Sequence, residues 1–208
     1  MSRAVMIAEG LAALGLALSD AQQQQLQKYL SLLQRWNQAF NLTAVRDPGQ
    51  MVVRHLLDSL AVSPWIEDGP LLDVGSGAGL PGIPLAIAHP GTEVTMLDSN
   101  GKKTRFVQQA ILELGLPNAT VVQSRVEQYP SAFPQVITRA FASVPDILSL
   151  ADACVTPTGR ILAMKGVLTD VEMAGISAPW RAERHVLKVP FLDEQRQLLI
   201  LTREGDLQ

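Results

Sequence analysis

The sequence predicts a doubly wound α/β fold, in which a mostly parallel, seven-stranded sheet carries helices on both faces and follows an N-terminal helical extension. From residue 70 onward, short apolar segments alternate with amphipathic helical segments, as in parallel sheets. A glycine-rich turn follows the first apolar segment. Before residue 66, apolar residues recur only at helical spacing. We therefore place the extension at residues 1–66 and the sheet domain at residues 67–208.

The extension begins with a short helix over about residues 3–14. A longer helix starts where Ser19 and Gln22 have the spacing of a capping box. Its apolar face consists of Leu26, Tyr29, Leu30, Leu33, Trp36 and Phe40. Asp47-Pro48 begins a third helix, which ends before Pro64. Nothing in this region has the composition of a flexible linker, so we expect the helices to pack on the sheet.

The sheet domain contains seven segments with the length and composition of strands. They cover residues 71–74, 93–97, 119–123, 136–138, 160–164, 185–189 and 198–202. The last two are joined across Asp193-Glu194, so we expect one antiparallel strand near the edge of the sheet. Helices are expected from Pro84 to His89, from Lys102 to Leu114 and from Ser143 to Cys154.

The composition narrows the class of protein. The net charge is −3, whereas proteins that hold nucleic acid mainly by neutralising phosphates usually carry excess Lys and Arg. Any RNA contacts must therefore be local or depend on shape. No apolar run reaches the roughly 18 residues of a membrane span, and the N-terminus lacks a secretory signal. The single cysteine, Cys154, excludes an intrachain disulfide and a zinc cluster. We expect a cytoplasmic monomer without membrane partner or metal.

The loop from Asp73 to Gly82, DVGSGAGLPG, is the strongest functional signal. Its glycines let a ligand approach the main chain at the carboxyl end of the first strand, where open α/β sheets bind ligands. Two cofactors compete for it. The spacing from Gly77 matches a dinucleotide fingerprint, whereas the acid at Asp73 followed by Gly75, Gly77 and Gly79 is typical of S-adenosylmethionine loops. Asp73 would repel a pyrophosphate, and Pro81 removes an N–H donor, so we favour S-adenosylmethionine.

Residues after the next two strands complete the predicted cofactor site. The Asp98 carboxylate ends the second strand and suits the two ribose hydroxyls, although both cofactor classes use such an acid. Asp98 could instead cap the following helix, a task that Ser99 could also perform. Val126 follows the third strand and is expected to pack on the adenine ring.

Several strings of the sequence resemble the RsmG family, also called GidB. They are NLTAVRDP (41–48), RHLLDSLA (54–61), DVGSGAGLPGIPLA (73–86), LDSNGKKTRF (97–106), SRVE (124–127), TRAFAS (138–143) and MKG (164–166). The resemblance implies S-adenosylmethionine-dependent methylation of guanine N7 in 16S ribosomal RNA within the small ribosomal subunit. It also implies cofactor contacts at Gly75, Leu80, Val126, Glu127 and Arg139. Lys102-Lys103 stands where Lys-Arg is expected, which keeps the charge.

Methylation at guanine N7 requires no general base, because the lone pair is already exposed. We therefore predict no catalytic side chain, only positioning. The candidate RNA contacts are Arg54, His55, Lys102, Lys103 and Lys165. Each also has a structural interpretation: the lysines as solvated charges, and His55 as a partner of Asp58 or Ser59 at helical spacing. Arg139 could reach the cofactor, the guanine or a phosphate, or form an ion pair.

Aromatic residues and alternative functions complete the sequence-based hypotheses. Trp36, Phe40 and Phe141 could stack on a flipped base, although the helical spacing of the first two favours a core role. A small-molecule methyltransferase on the same fold remains an alternative and would require a pocket closed by the N-terminal helices. A non-catalytic cofactor-binding module and a dehydrogenase are further alternatives.

Overall fold

A computed structural model describes residues 2–204 of the chain. The strands are β1 (Leu71–Val74), β2 (Val94–Asp98), β3 (Ala119–Gln123), β4 (Phe133–Arg139), β5 (Val155–Lys165), β6 (Trp180–Leu187) and β7 (Arg196–Arg203). The α-helices are α1 (Arg3–Ala13), α2 (Asp20–Phe40), α3 (Pro48–Met51), α4 (Asp58–Leu60), α5 (Gly82–Ala88), α6 (Gly101–Leu114), α7 (Val144–Ala151) and α8 (Asp170–Ala174). A π-helix (Val52–Leu57) joins α3 to α4.

The seven strands form one sheet in the order β3-β2-β1-β4-β5-β7-β6. Strands β1 to β5 pair in parallel, and β7 runs antiparallel between β5 and β6. The doubly wound fold and the single antiparallel strand near the edge are therefore confirmed. The strand order reverses at β1, which lies between β2 and β4, so the crevice typical of ligand binding opens at the carboxyl ends of these strands.

The predicted elements differ from the observed ones mainly in length. Strands β1 and β3 have the predicted bounds, whereas β4 and β5 begin three and five residues earlier than expected. The register of β4 against β5 shifts between Phe133 and Gln135, at Pro134, and a proline within an apolar run discourages a strand assignment. The short helix α8 was not expected; a capping box of Thr169 and Glu172 begins it.

The N-terminal helices pack against the sheet domain through one continuous apolar cluster. The capping box of Ser19 and Gln22 begins α2 as predicted. The buried face of α2 carries Tyr29, whose hydroxyl donates a 2.7 Å hydrogen bond to the Ala78 carbonyl in the glycine loop. Trp36 packs on Phe106 of α6 with ring centroids 5.6 Å apart, which is the core role that its helical spacing favoured. The extension therefore touches the loop directly.

The π-helix changes which backbone groups are available beside the sheet. The Asp58 N–H donates to the Val53 carbonyl, five residues earlier, whereas in an α-helix it would bond to the Arg54 carbonyl. The Arg54 carbonyl instead accepts a 2.9 Å hydrogen bond from the Arg139 guanidinium at the end of β4. The π-helix thus leaves the Arg54 carbonyl free to accept a hydrogen bond from the Arg139 side chain at the end of β4.

Within residues 2–204, no helix combines the length and the apolar composition that a bilayer span requires.

We predict that Tyr29→Phe lowers the free energy of unfolding by about 1–3 kcal/mol, because the buried Ala78 carbonyl would lose its partner. Urea unfolding followed by circular dichroism measures this difference. Tyr129→Phe is the matched control, since the Tyr129 hydroxyl makes no hydrogen bond within residues 2–204. Equal unfolding midpoints for the two variants would contradict the link between α2 and the loop.

Candidate functional site

Two cavities open at the carboxyl ends of the parallel strands. The first has a volume of about 390 Å³ and the second about 360 Å³. The first cavity is lined by Val74, Gly75, Leu97, Asp98, Ser99, Lys103, Ser124, Arg125, Val126, Glu127, Ala140, Phe141 and Leu150. The second cavity is lined by Val45, Arg54, His55, Asp58, Arg139, Ala140, Met164, Lys165, Gly166, Leu187 and Arg196. Ala140 belongs to both, so the cavities adjoin immediately after β4.

The glycine loop forms one wall of the first cavity. Gly75, Gly77 and Gly79 have positive φ angles of 71°, 59° and 83°, which side chains rarely adopt. A Cβ atom on Gly75 would lie 2.3 Å from Cδ2 of Phe141, so a side chain there is also excluded by contact. Of these three glycines, Gly75 lines the first cavity, whereas a Cβ atom on Gly79 would meet Ile83 and Val107 in the core.

Asp73 lies beneath this loop and is fully buried. Its Oδ2 atom accepts a 2.8 Å hydrogen bond from the Gly82 N–H at the start of α5, whereas Oδ1 has no partner within residues 2–204. Burial raises the pKa of Asp73 to about 7, and the Gly82 hydrogen bond and the charge of Arg139 only partly oppose this shift. Asp73 is therefore buried beneath the loop and holds it through Gly82. The sequence had instead predicted a carboxylate that faces the cofactor.

The first turn of α5 has no backbone donor left for a pyrophosphate. The Gly82 N–H donates to Asp73, the Ile83 N–H to the Gly79 carbonyl, and Pro84 has no N–H. A dinucleotide site needs free amides at this helix terminus. The geometry thus disfavours a dinucleotide and supports the preference for S-adenosylmethionine drawn from the sequence.

Asp98 lines the first cavity and contacts the glycine loop. Its Oδ2 accepts the Gly77 N–H and its Oδ1 accepts the Asn100 N–H, each at 2.8 Å. Each carboxylate oxygen has a second lone pair, so both can still accept a ribose hydroxyl. The cap of α6 is Asn100, which accepts from the amides of Lys102 and Lys103. Neither Asp98 nor Ser99 caps this helix, because the helix starts at Gly101, two residues later than a cap at Asp98 would require and one residue later than a cap at Ser99 would require.

The remaining predicted cofactor residues do not lie together. Two line the first cavity, one is buried in the core and one lines the second cavity. Val126 and Glu127 line the first cavity after β3, beside the apolar Leu97. Leu80 is buried in the apolar cluster shared with the N-terminal helices. Arg139 lines the second cavity, together with the candidate RNA contacts Arg54, His55 and Lys165.

The second cavity is built around a buried ion-pair cluster. Asp58 is 4% exposed and contacts two guanidinium groups: Oδ2 lies 2.8 Å from Nη1 of Arg139, and Oδ1 lies 3.0 Å from Nε of Arg196. Glu194 bridges Arg54 and Arg196 at its rim. Asp58 and Arg196 were not predicted as site residues. Helical spacing from Arg54 was a signal for Asp58, whereas nothing in the sequence pointed to Arg196.

His55 is buried beside this cluster, and its predicted pairing with Asp58 or Ser59 is wrong. Nε2 of His55 lies 3.0 Å from the Thr43 hydroxyl, whereas both Asp58 oxygens pair with arginines. Burial, and next the charge of Arg139, lowers the pKa of His55 to about 4. The charge of Asp58 raises this pKa by less than Arg139 lowers it. The imidazole is therefore neutral at physiological pH.

The three lysines named by the sequence lie in two places. Nζ of Lys165 lies 2.9 Å from Oε1 of Glu172 and also donates to the Ala142 carbonyl at the second cavity. Lys103 lines the first cavity, and Lys102 is exposed nearby on α6. The lysines of α6 are therefore separated from the arginine cluster.

Aromatic side chains beside the cavities offer one stacking candidate. Phe141 lines the first cavity, and Phe40 is 45% exposed at the end of α2, where it packs on Trp36. Among the three aromatic residues proposed for base stacking, only Phe141 lies at a cavity.

Comparisons with known proteins agree with the fold and with the resemblance seen in the sequence. The GidB family model, described as rRNA small subunit methyltransferase G, matches residues 22–200. A relative named ribosomal RNA small subunit methyltransferase G from Marinobacter nauticus is 51% identical over 198 residues, covering 94% of this chain and 92% of the relative. The protein of the same name from Pseudomonas aeruginosa is 51% identical over 201 residues, covering 95% and 94%.

A solved structure shows the same fold at low identity. A SAM-dependent methyltransferase from Aquifex aeolicus superposes with a TM-score of 0.55 at 17% identity, covering 75% of this chain and 94% of that one. This likeness concerns the fold alone. With the family match and the half-identical relatives, the chain belongs to the rRNA small subunit methyltransferase G family.

Proposed function

We propose that the chain transfers a methyl group from S-adenosylmethionine to N7 of a guanine in the 16S ribosomal RNA of the small ribosomal subunit. The observation that carries the proposal is the junction of the two cavities at Ala140. One cavity has the donors and acceptors of a nucleoside site, and the other has an arginine-rich wall. The ribosomal RNA methyltransferases to which the chain is similar supply the substrate class, and the sequence resemblance supplies guanine N7.

The first cavity suits the adenosyl part of the cofactor. Asp98 would accept the ribose hydroxyls, Val126 and Leu97 would pack on the adenine, and the loop at Gly75 would run along the methionine part. Asp73, two residues before Gly75, has an Oδ1 atom without a hydrogen-bond partner within residues 2–204. When bound, S-adenosylmethionine supplies an electrophilic methyl carbon on a positively charged sulfur.

The second cavity suits a guanine presented by RNA. N7 and O6 of guanine are both hydrogen-bond acceptors, and N7 attacks with a lone pair that carries no proton. The side chains then need only to orient the base and exclude water, and orientation alone can supply about 7–11 kcal/mol of rate acceleration. His55 is the only histidine at the cavity, and its pKa of about 4 makes it a weak base. This agrees with a reaction that requires no general base.

We predict that the purified protein restores one 7-methylguanosine to small ribosomal subunits from cells that lack the gene. Nucleoside analysis of the 16S RNA by mass spectrometry measures the product. Labelled S-adenosylmethionine incubated with a small-metabolite extract, in place of subunits, tests the alternative of a small-molecule methyltransferase. Label in metabolites with none in RNA would overturn the proposal, and cofactor binding without transfer to either would indicate a non-catalytic module.

We predict that Asp98→Ala weakens binding of S-adenosylhomocysteine at least about tenfold, because the ribose acceptor and the Gly77 hydrogen bond are both removed. Calorimetry measures the affinity, with NAD as a second ligand that the wild type should not bind. Glu93→Ala is the matched control, since Glu93 is exposed next to the opposite end of β2. Unchanged binding in Asp98→Ala would remove Asp98 from the site.

We predict that Asp73→Asn removes a loss of stability that the wild type shows as pH rises. The folded pKa of about 7 lies above the ordinary value of 3.8, so the protonated carboxyl stabilises the fold at low pH and this contribution is lost as pH rises through 7. The unfolding free energy of the variant relative to wild type should therefore rise by up to about 1.4 kcal/mol per pH unit and level off above pH 7.

The same variant tests the charge of the loop. Ionised Asp73 should favour the cationic sulfur of S-adenosylmethionine over the neutral sulfur of S-adenosylhomocysteine, and Asp73→Asn should lose this preference while the amide still accepts from Gly82. Chemical denaturation between pH 5 and pH 8 and calorimetry with both ligands give the two measurements. A variant that keeps the wild-type pH slope or the wild-type ligand preference contradicts the assigned role.

A further inference from the structure

A single buried carboxylate connects three elements at the wall of the second cavity. Asp58 follows the π-helix, Arg139 ends β4 and Arg196 begins β7, which lie 81 and 138 residues further along the chain. Each oxygen of Asp58 holds a different guanidinium group, at 2.8 and 3.0 Å. Both arginines are about one-fifth exposed, so the pairs lie at the boundary between core and cavity.

Asp58 holds Arg139 by one nitrogen and leaves the rest of its guanidinium group available. Nη1 of Arg139 donates both to Asp58 and to the Arg54 carbonyl that the π-helix makes available. Within the part of the chain that the structure describes, Nε and Nη2 of Arg139 make no hydrogen bond. These two nitrogens share one planar edge of the group, and such an edge binds carbonyl, carboxylate or phosphate oxygens.

Arg196 is held more completely. Its Nε donates to Asp58, Nη1 to the Gln195 carbonyl and Nη2 to Glu194. Its guanidinium therefore holds the second oxygen of Asp58 and prevents the carboxylate from rotating away from Arg139. Together with Arg54, which also pairs with Glu194, three arginines face two carboxylates, so one surplus positive charge remains at the cavity wall, where it favours an electron-rich ligand.

We infer that Asp58 is a positioning residue for methyl transfer: it fixes the Arg139 guanidinium so that its Nε–Nη2 edge engages an oxygen of the reacting guanine. This inference rests on the proposed function. O6 of guanine is the acceptor next to N7, and a donor on O6 alone leaves the N7 lone pair free to attack. Without Asp58, Arg139 would rotate and repel Arg196, so the guanine would lose its orientation relative to the methyl group.

The test compares steady-state methylation of small ribosomal subunits by wild type, Asp58→Asn and Asp58→Glu. Since misplacement by about 1 Å can cost about 100-fold in rate, Asp58→Asn should lower kcat by about 10- to 100-fold and change KM for the subunit less than threefold. Asp58→Glu should recover part of kcat, because it keeps the charge. Asp152→Asn is the matched control, since Asp152 pairs with Arg203 at 2.9 Å away from both cavities.

A second measurement does not depend on RNA or on turnover. In ¹⁵N NMR spectra of the wild type, the Arg139 guanidinium signals, assigned with Arg139→Lys, should show hindered rotation that is lost in Asp58→Asn. A kcat of Asp58→Asn within threefold of wild type would overturn the inference. So would a fall in kcat that matches the loss of folded protein, measured as the fraction that binds S-adenosylhomocysteine. If wild-type protein methylates no guanine, the proposed function fails, and freely rotating Arg139 in wild type would then overturn the positioning role separately.

Discussion

Two carboxylates at the ends of neighbouring strands hold the glycine loop, and the rest of the site depends on this support. Asp73 of β1 accepts the Gly82 N–H, and Asp98 of β2 accepts the Gly77 N–H, so the middle and the far end of the loop are tied to the sheet. The glycines provide no side chains for packing, so these hydrogen bonds, the Tyr29 bond to Ala78 and the buried Leu80 side chain fix the path of the loop. Burial of Asp73 without a charged partner is costly, as its pKa of about 7 indicates.

The N-terminal helices contribute residues to the second cavity and a hydrogen bond to the glycine loop. Tyr29 of α2 bonds to the loop at Ala78, and Asp58 at the end of the π-helix bonds to Arg139 at the end of β4. Arg54 and His55 supply further parts of the second cavity wall. The extension thus completes a cavity that the α/β domain alone would leave open, and the π-helix is the local irregularity that makes this possible.

The sequence predicted those features that depend on local pattern. The buried run Leu71–Val74 closed by glycines defined β1, and strand-end positions pointed to Asp98 and Val126. The longer β4 was missed because Pro134 interrupts it, and the π-helix was missed because it differs from an α-helix by one hydrogen-bond step. The partners of Asp58 could not be predicted, because distant residues become neighbours only when the sheet forms.

The junction between the cavities lies at a residue with a strained backbone. Ala140 has a φ angle of 50°, in the left-handed region that costs a non-glycine residue about 1–2 kcal/mol. The turn at Ala140 separates its neighbours: Arg139 lines the second cavity and Phe141 lines the first. The Arg139–Asp58 ion pair and the packing of Phe141 on Gly75 hold the turn from its two sides. The strain is therefore located where a methyl donor and its acceptor would have to meet, and the surrounding contacts that offset it are the same contacts that shape both cavities.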